Sequence, residues 1–357
     1  MRDMTATTSE QTGRFLSVPA TLDFDEANEA LYQQGMTDGL PVIPPTYERV
    51  ARMLEGVRRD PAQSLGTMGP AYGHATIEKI AVNAVMAGCR PEYMPVIVAA
   101  VEAMLEYEFN LYGINATTHP VAPMLVVNGP AADKLRINSG YNCMGQGWRA
   151  NATIGRAIRL ILVNIGGGTP GVGDRATHGS PAKFSFCLAE NEFASPWLPL
   201  HVRRGFAPED STVTVHGSEA PHEINNHTSE EAEGVMRTFA HTLSTLGHNN
   251  SYLGRGEVAI CIGPEHAQTI ARDGLGIADV QDYLYRNAGN RRSELLAITR
   301  DNFAAMAPFE AAEENPFVRL VEKAEDYLLF VAGGVGKHSM AMPSFGLTRA
   351  VTKRIDL

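Results

Sequence analysis

The first regular alternation of apolar and polar positions is ATIEKIAVNAVMAG (75–88), where Ile77, Ile80, Ala81, Ala84 and Val85 recur at helical spacing and Gly88 supplies the stop. CRPEYMPVIVAAVEAML (89–105) predicts a second helix with Pro91 near its first turn. Together they form an N-terminal helical hairpin with Cys89 at the junction. Ahead of it, DGLPVIPPT (38–46) has three prolines and a glycine, which force an extended path over the surface or across a cleft.

Beyond the hairpin, short β-rich apolar runs alternate with helical patterns. APMLVVNGP (122–130), GEVAICIGP (256–264) and EDYLLFVAGG (325–334) read as strands. NATIGRAIRLILVNIGGG (151–168) reads as a helix with Ile154, Ile158, Ile161 and Leu162 on its buried stripe. KFSFCLAENE (183–192) and DSTVTVHG (210–217) read as further strands. The alternation predicts an α/β fold with parallel or mixed sheets. VVNGPAADKL and ICIGPEHAQTI both run strand, Gly-Pro, helix, and this echo points to two related lobes. The expected division is a disordered arm over 1–20, a first lobe over 21–170 and a second over 171–357.

Composition narrows the partner. A formal charge of -10 leaves no excess of Lys and Arg for a phosphate backbone, so a nucleic-acid partner is not expected and a small-molecule substrate is. No apolar run approaches the ~20 residues of a membrane span. The polar N-terminus has no signal-peptide pattern, and the four cysteines form no CxxC pair, which together suggest a cytoplasmic setting. A homo-oligomer is expected.

Candidate chemistry falls in three loops. FVAGGVGKHS (330–339) looks like a nucleotide loop, but Val331 stands where a Walker A loop needs glycine and His338 where it needs Ser or Thr. No nucleotide is therefore expected, and Gly334, Gly336, Lys337 and His338 become candidates for holding a substrate anion in a backbone nest. INSGYNCMGQGWRANATIGRA (137–156) offers Gly145, Cys143, Arg149 and Asn151 beside a helix start, where an anion would be stabilised and a thiol pKa lowered. SFCLAENEFASPWLPLH (185–201) carries Cys187, Glu190, Glu192 and His201, a nucleophile with acid/base partners close in sequence. Glu190 and Glu192, two apart, face the same side of an extended backbone.

Eleven histidines include His74, His119, His266 and His338 at element ends, where α/β sites are built; His74 and His119 are further substrate-binding candidates. No pair has HExxH spacing, so a catalytic metal is not favoured. HGSEAPHEINNH (216–227) reads as a solvated polar loop, and Cys261 as core.

ATIEKIAVNAVMAGCRPEYMPVIVAAVEA, GWRANATIGRAIRLILVNIGG, AENEFASPWLPLHVRRGF and VAGGVGKHS together resemble an uncharacterised bacterial family of about this length. Its members resemble proteins encoded beside thioredoxin-like (seleno)proteins with a Sec/Cys-Gly-Ser-Cys motif. The resemblance implies thiol or selenol redox chemistry on a small organic substrate with a thioredoxin-like redox partner. This chain carries no such motif itself. The expectation is an enzyme acting on a small anionic organic molecule with cysteine and carboxylate or histidine chemistry, as a thiol-dependent oxidoreductase component. The alternatives are a cofactor-independent lyase or hydrolase, or a non-catalytic subunit of a redox complex.

Overall fold

A computed structural model describes residues 23–299 and 315–357, so the expected arm over 1–20 lies outside the described residues. The helical hairpin forms as the pattern requires, with helices Ile77–Ala87 and Met94–Leu105. Thr76 caps the first by accepting a hydrogen bond from the Lys79 N–H at 3.2 Å, and Gly88 ends it at φ 85°, in the left-handed region that glycine enters without strain. The proline-rich segment before it lies extended across helices Ile77–Ala87 and Arg149–Asn164. Arg156 holds Asp38 at 2.7 Å, and the Ile43 N–H donates to the Met86 carbonyl.

The described residues form twelve strands. β1 (Ser64–Met68) and β2 (Gly73–Thr76) make an antiparallel ribbon. β3 (Ala122–Asn128), β4 (Cys187–Ala189), β5 (Thr212–Ser218) and β6 (His222–Asn225) follow. After them come β7 (Val258–Ile262), β8 (Gly289–Arg291) and β9 (Phe317–Arg319). The last three are β10 (Tyr327–Val331), β11 (His338–Met342) and β12 (Val351–Arg354). β8 and β9 pair as a second short ribbon.

Two four-stranded sheets carry the fold, in the orders β12-β5-β3-β4 and β10-β7-β11-β6. Each is mixed in the same way. β3 runs parallel to β4 and antiparallel to β5, which is antiparallel to β12. β7 runs parallel to β10 and antiparallel to β11, which is antiparallel to β6. The Gly-Pro turns after β3 and β7 occupy matching positions, so the sequence echo reflects a repeated unit.

The repeat is reciprocal at its edges. The chain leaves β5 in the first sheet to form β6 at the edge of the second, and leaves β11 in the second to form β12 at the edge of the first. A division at residue 170 therefore does not fall between the sheets, since β4, β5 and β12 of the first sheet all lie beyond it. Segment 216–227, expected to be a solvated loop, instead holds the end of β5 and the whole of β6.

Side-chain alternation sorts the residues into layers. Leu125 and Val127 of β3 face the hairpin and helix Arg149–Asn164, whereas Ala122, Met124 and Val126 face the second sheet. In β7, Ala259 and Cys261 face inward, and Val258, Ile260 and Ile262 pack on helices Ala232–Leu243, Pro264–Arg272 and Ile277–Asn287. The result is a helix–sheet–sheet–helix sandwich with a separate apolar core between each pair of layers.

Candidate functional site

β7 and β10 end side by side, and the chain beyond each builds a cavity of about 230 Å³. Its walls include Cys143, Gly145, Gly334, Gly336 and His338, so the two glycine-rich loops singled out in the sequence meet here. Glycine is needed for the closeness of this approach. A Cβ on Gly263 would stand 1.9 Å from the His338 carbonyl oxygen, and one on Gly334 would stand 2.0 Å from the Tyr141 ring. Gly333 and Gly336, at φ 114° and 142°, occupy backbone regions closed to other residues.

Asn151, in the first turn of helix Arg149–Asn164, pins the loop that brings Cys143 to the cavity. Its Oδ1 accepts from the Asn138 N–H at 2.8 Å, and its Nδ2 donates to the Asn138 and Cys143 carbonyls at 2.9 and 3.0 Å. Asn151 is thus a support for the wall. On the opposite loop, the Gly333 N–H donates to the Ser139 carbonyl and the Gly336 N–H to Glu265 Oε1 at 3.0 Å. The N–H groups of Gly334 and Val335, which border the cavity, have no partner among the described residues. Unpaired backbone donors of this kind receive an anion or a carbonyl oxygen.

Two histidine assemblies adjoin the cavity. His338 Nδ1 stands 2.6 Å from Glu223 Oε1, at ion-pair distance though off the line of a hydrogen bond, and its Nε2 lies 3.0 Å from His227 Nε2. The register of β11 against β6 creates this pair, because His338 lies opposite Asn225 at the end of both strands. Deeper in, His266 Nδ1 lies 2.8 Å from Ser339 Oγ and its Nε2 3.2 Å from the Asn226 carbonyl. The Gly263 N–H donates to the same Ser339 Oγ at 3.0 Å. Burial lowers the His266 pKa below its ordinary value, with the Asn226 carbonyl partly opposing and His338 and Lys337 adding to the effect.

Cys143 and Cys187 lie in a setting opposite to the one expected, while Cys261 is core as its strand suggested. Burial pushes Cys143 up to about 11, more than its backbone hydrogen bonds offset, so the nearby helix start does not lower it. Cys261 also lines the cavity, and burial raises it well above its ordinary value. Cys187 points from β4 into the helix-side core beside Cys89; burial raises it further, and the Cys89 thiol adds to the effect. Cys89 itself is pushed up to about 12 by burial, although its Sγ donates to the Thr153 carbonyl.

Glu190, Glu192 and His201 do come together, but at the end of β3 and on the other face from Cys187. Asn128 Nδ2 donates to Glu190 Oε2 at 2.6 Å and to Glu192 Oε1 at 2.8 Å, so the two carboxylates share one side as their spacing requires. Glu192 also accepts from the Gly129 N–H at 2.7 Å, and His201 Nδ1 lies 3.8 Å away. Glu190 accepts from the Leu200 N–H at 2.7 Å and the Val331 N–H at 3.4 Å, linking β4 to β10. Burial raises its pKa, and Arg203 and these hydrogen bonds oppose the rise. The carboxylates are occupied in holding strand ends and turns together.

The remaining candidates lie elsewhere. Arg149 donates to the Gly88 carbonyl and caps helix Ile77–Ala87. Lys337 turns away from the cavity: its Nζ donates to the His227 carbonyl, and it borders a separate depression with Glu265 and Arg272. His119 pairs with Glu219 at 2.8 Å, and His74 is exposed on β2 opposite Thr67. A larger groove of about 670 Å³, between Tyr107, Tyr112 and Arg349, contains none of the expected site residues.

Sequence reasoning missed Ser339, Asn226 and the His227–Glu223 partners of His338. His266 was visible as a histidine in a first helical turn, but its partner lies 73 positions away and meets it only through the sheet. Among the described residues, no group of three or more His, Cys, Asp or Glu side chains is placed to hold a metal ion, and no helix is long and apolar enough to cross a membrane. No protein-family model, curated protein or solved structure matches the chain.

Proposed function

We propose that the chain is an enzyme that binds a small anionic organic molecule in the cavity between residues 142–145 and 332–340, and moves a proton on it. One observation carries this reading: two glycine-built loops converge at the carboxyl ends of β7 and β10, where sheets of this kind bind ligands, with unpartnered N–H groups and an imidazole on one cavity. The Gly334 and Val335 N–H groups receive the anion. His338 takes and returns the proton at Nε2, the nitrogen it shares with His227, while Glu223 faces Nδ1.

This favours the lyase or hydrolase class over thiol chemistry, since a thiol held neutral by burial is a poor nucleophile. A thiol-dependent oxidoreductase working beside a thioredoxin-like protein is the second reading, favoured by Cys143 and Cys261 bordering one cavity. Iodoacetamide separates the two: the first reading expects all four native thiols to react slowly near neutral pH, and the second expects Cys143 to react much faster than the rest.

The test of binding is thermal unfolding with succinate, malate and related carboxylates at millimolar concentration. Stabilisation is expected in the wild type and lost in Met144→Trp, which fills the cavity. No stabilisation, or equal stabilisation of both proteins, refutes the cavity reading.

A further inference from the structure

We propose that Ser339 and His266 form a nucleophile–base pair and that the cavity hydrolyses an ester or thioester of a small carboxylic acid, an inference that rests on the cavity being the substrate site. The sandwich contains other buried serines and histidines. Ser251 and His248, 3.2 Å apart, also form a Ser–His contact, but His248 Nε2 is already taken by the Leu243 carbonyl at 2.7 Å and neither residue borders a cavity described above. Ser339 differs, because it belongs to the cavity wall while its side chain, on the helix-facing side of β11 with Ala341, sets Oγ 2.8 Å from His266 Nδ1.

The hydrogen-bond pattern fixes the roles. The Asn226 carbonyl can only accept, so His266 Nε2 carries the proton and Nδ1 is left as the acceptor of the Ser339 hydroxyl proton. Asn226 is itself held in place: its side-chain Nδ2 donates to Gly234 O and Thr238 Oγ1, and its Oδ1 accepts from the Ser229 N–H. A nucleophile, a base and a group that orients the base are thus in line. The backbone carbonyl takes the place that a carboxylate fills in the Ser-His-Asp arrangement. Burial, which keeps the imidazole neutral, suits it to take a proton.

In the reaction, Ser339 Oγ attacks the acyl carbon and its proton passes to His266 Nδ1. The bond to the leaving alcohol or thiol breaks, and His266 returns that proton to the departing oxygen or sulfur. Water then attacks the acyl-Ser339 ester, giving a proton to His266 Nδ1. The acid leaves as the Ser339 Oγ bond breaks, and Ser339 takes the proton back. Oxygen charge develops beside Gly263, at the start of helix Pro264–Arg272, where Pro264 has no N–H and Glu265 and His266 carry the first ones.

The experiment treats the full chain with an alkyl fluorophosphonate, which phosphonylates activated serines, and maps adducts by peptide mass spectrometry. The expected result is one adduct, on Ser339, absent in Ser339→Ala and slowed on the order of 100-fold in His266→Asn. Because His266 is buried and its replacement risks unfolding, Ser339→Cys provides a second measure: its new thiol should react with iodoacetamide faster than the four native cysteines. No adduct on Ser339, a rate unchanged in folded His266→Asn, or an unreactive thiol in Ser339→Cys overturns the proposal. If Ser339 fails to label while carboxylates still stabilise the protein through the cavity, the acyl-transfer step falls and the binding reading stands. If Ser339 labels without any carboxylate stabilisation, the anionic-substrate reading falls and the step stands.

Discussion

Removing the Glu190 carboxylate by Glu190→Ala tests whether the cluster at the end of β3 is a clamp between the two sheets. Its Oε2 accepts from Asn128 Nδ2 and the Leu200 N–H at 2.6 and 2.7 Å, and Oε1 from the Val331 N–H at 3.4 Å. The site is closed, Glu190 being 3% exposed, so water does not readily replace the lost oxygens. The Leu200 N–H and one of the two Asn128 Nδ2 hydrogens lose their partner, the other staying on Glu192, at about 1–3 kcal/mol each, which sets the expected loss at about 4 kcal/mol. Equilibrium urea unfolding reads it as a lower midpoint at unchanged slope. A loss below about 1 kcal/mol would refute the clamp, because a relaxed or hydrated site loses little.

The isosteric Glu190→Gln adds a pH dimension. The folded carboxyl binds its proton more tightly than the unfolded one, so its contribution is full below the ordinary value of 4.5 and drains away as pH rises through the folded value. Wild type should therefore lose stability relative to Glu190→Gln over that rise, and parallel pH profiles would contradict the assignment.

Asn151→Ala should release the 138–143 loop and weaken carboxylate binding to the cavity, read as a smaller thermal shift, while Thr153→Ala on the same helix should leave it unchanged. Lys337→Met should leave carboxylate binding intact, since its Nζ faces His227 and the neighbouring depression; a large loss would mean that the ammonium reaches the cavity. Burial holds His216 down to about 4 against an ordinary 6.5, with the Glu257 carbonyl only partly opposing. Its stabilising contribution is whole above 6.5 and is lost as pH falls towards 4, by roughly 3 kcal/mol in total, so His216→Gln should flatten the acid limb of the unfolding profile.

Much of this architecture was legible because local patterns coincide with tertiary roles. The hairpin, the long helix after the 137–148 loop, and the Gly-Pro turns after β3 and β7 all follow from spacing and from residues that glycine and proline alone can replace. The two glycine-rich loops were legible as a pair of anion-binding candidates, one leading into a helix and the other following a strand, though nothing local says that they meet. The alternation that put Glu190 and Glu192 on one side also decides Cys187: with Leu188 facing the second sheet, Cys187 must face the helices, away from both carboxylates.

What remained hidden depends on register between distant segments. β6 has one buried side chain, Ile224, among exposed neighbours, the composition of an edge strand that reads like a loop. Its pairing with β11 is what sets His227 and Glu223 beside His338. The serine of β11 and the histidine of helix Pro264–Arg272 carry no local signature, because neither segment knows the other until β7 and β11 pair.

The exchange of edge strands also has a consequence for synthesis. As the chain leaves the ribosome, β3, β4 and β5 can pair early, yet the strand that completes their sheet, Val351–Arg354, follows all the strands of the second sheet. Until then β5 presents an open edge of unpaired N–H and C=O groups, the kind of surface on which nascent chains cross-pair. The first sheet therefore stays open at β5 until every strand of the second has been made, while the second already holds its exchanged strand β6.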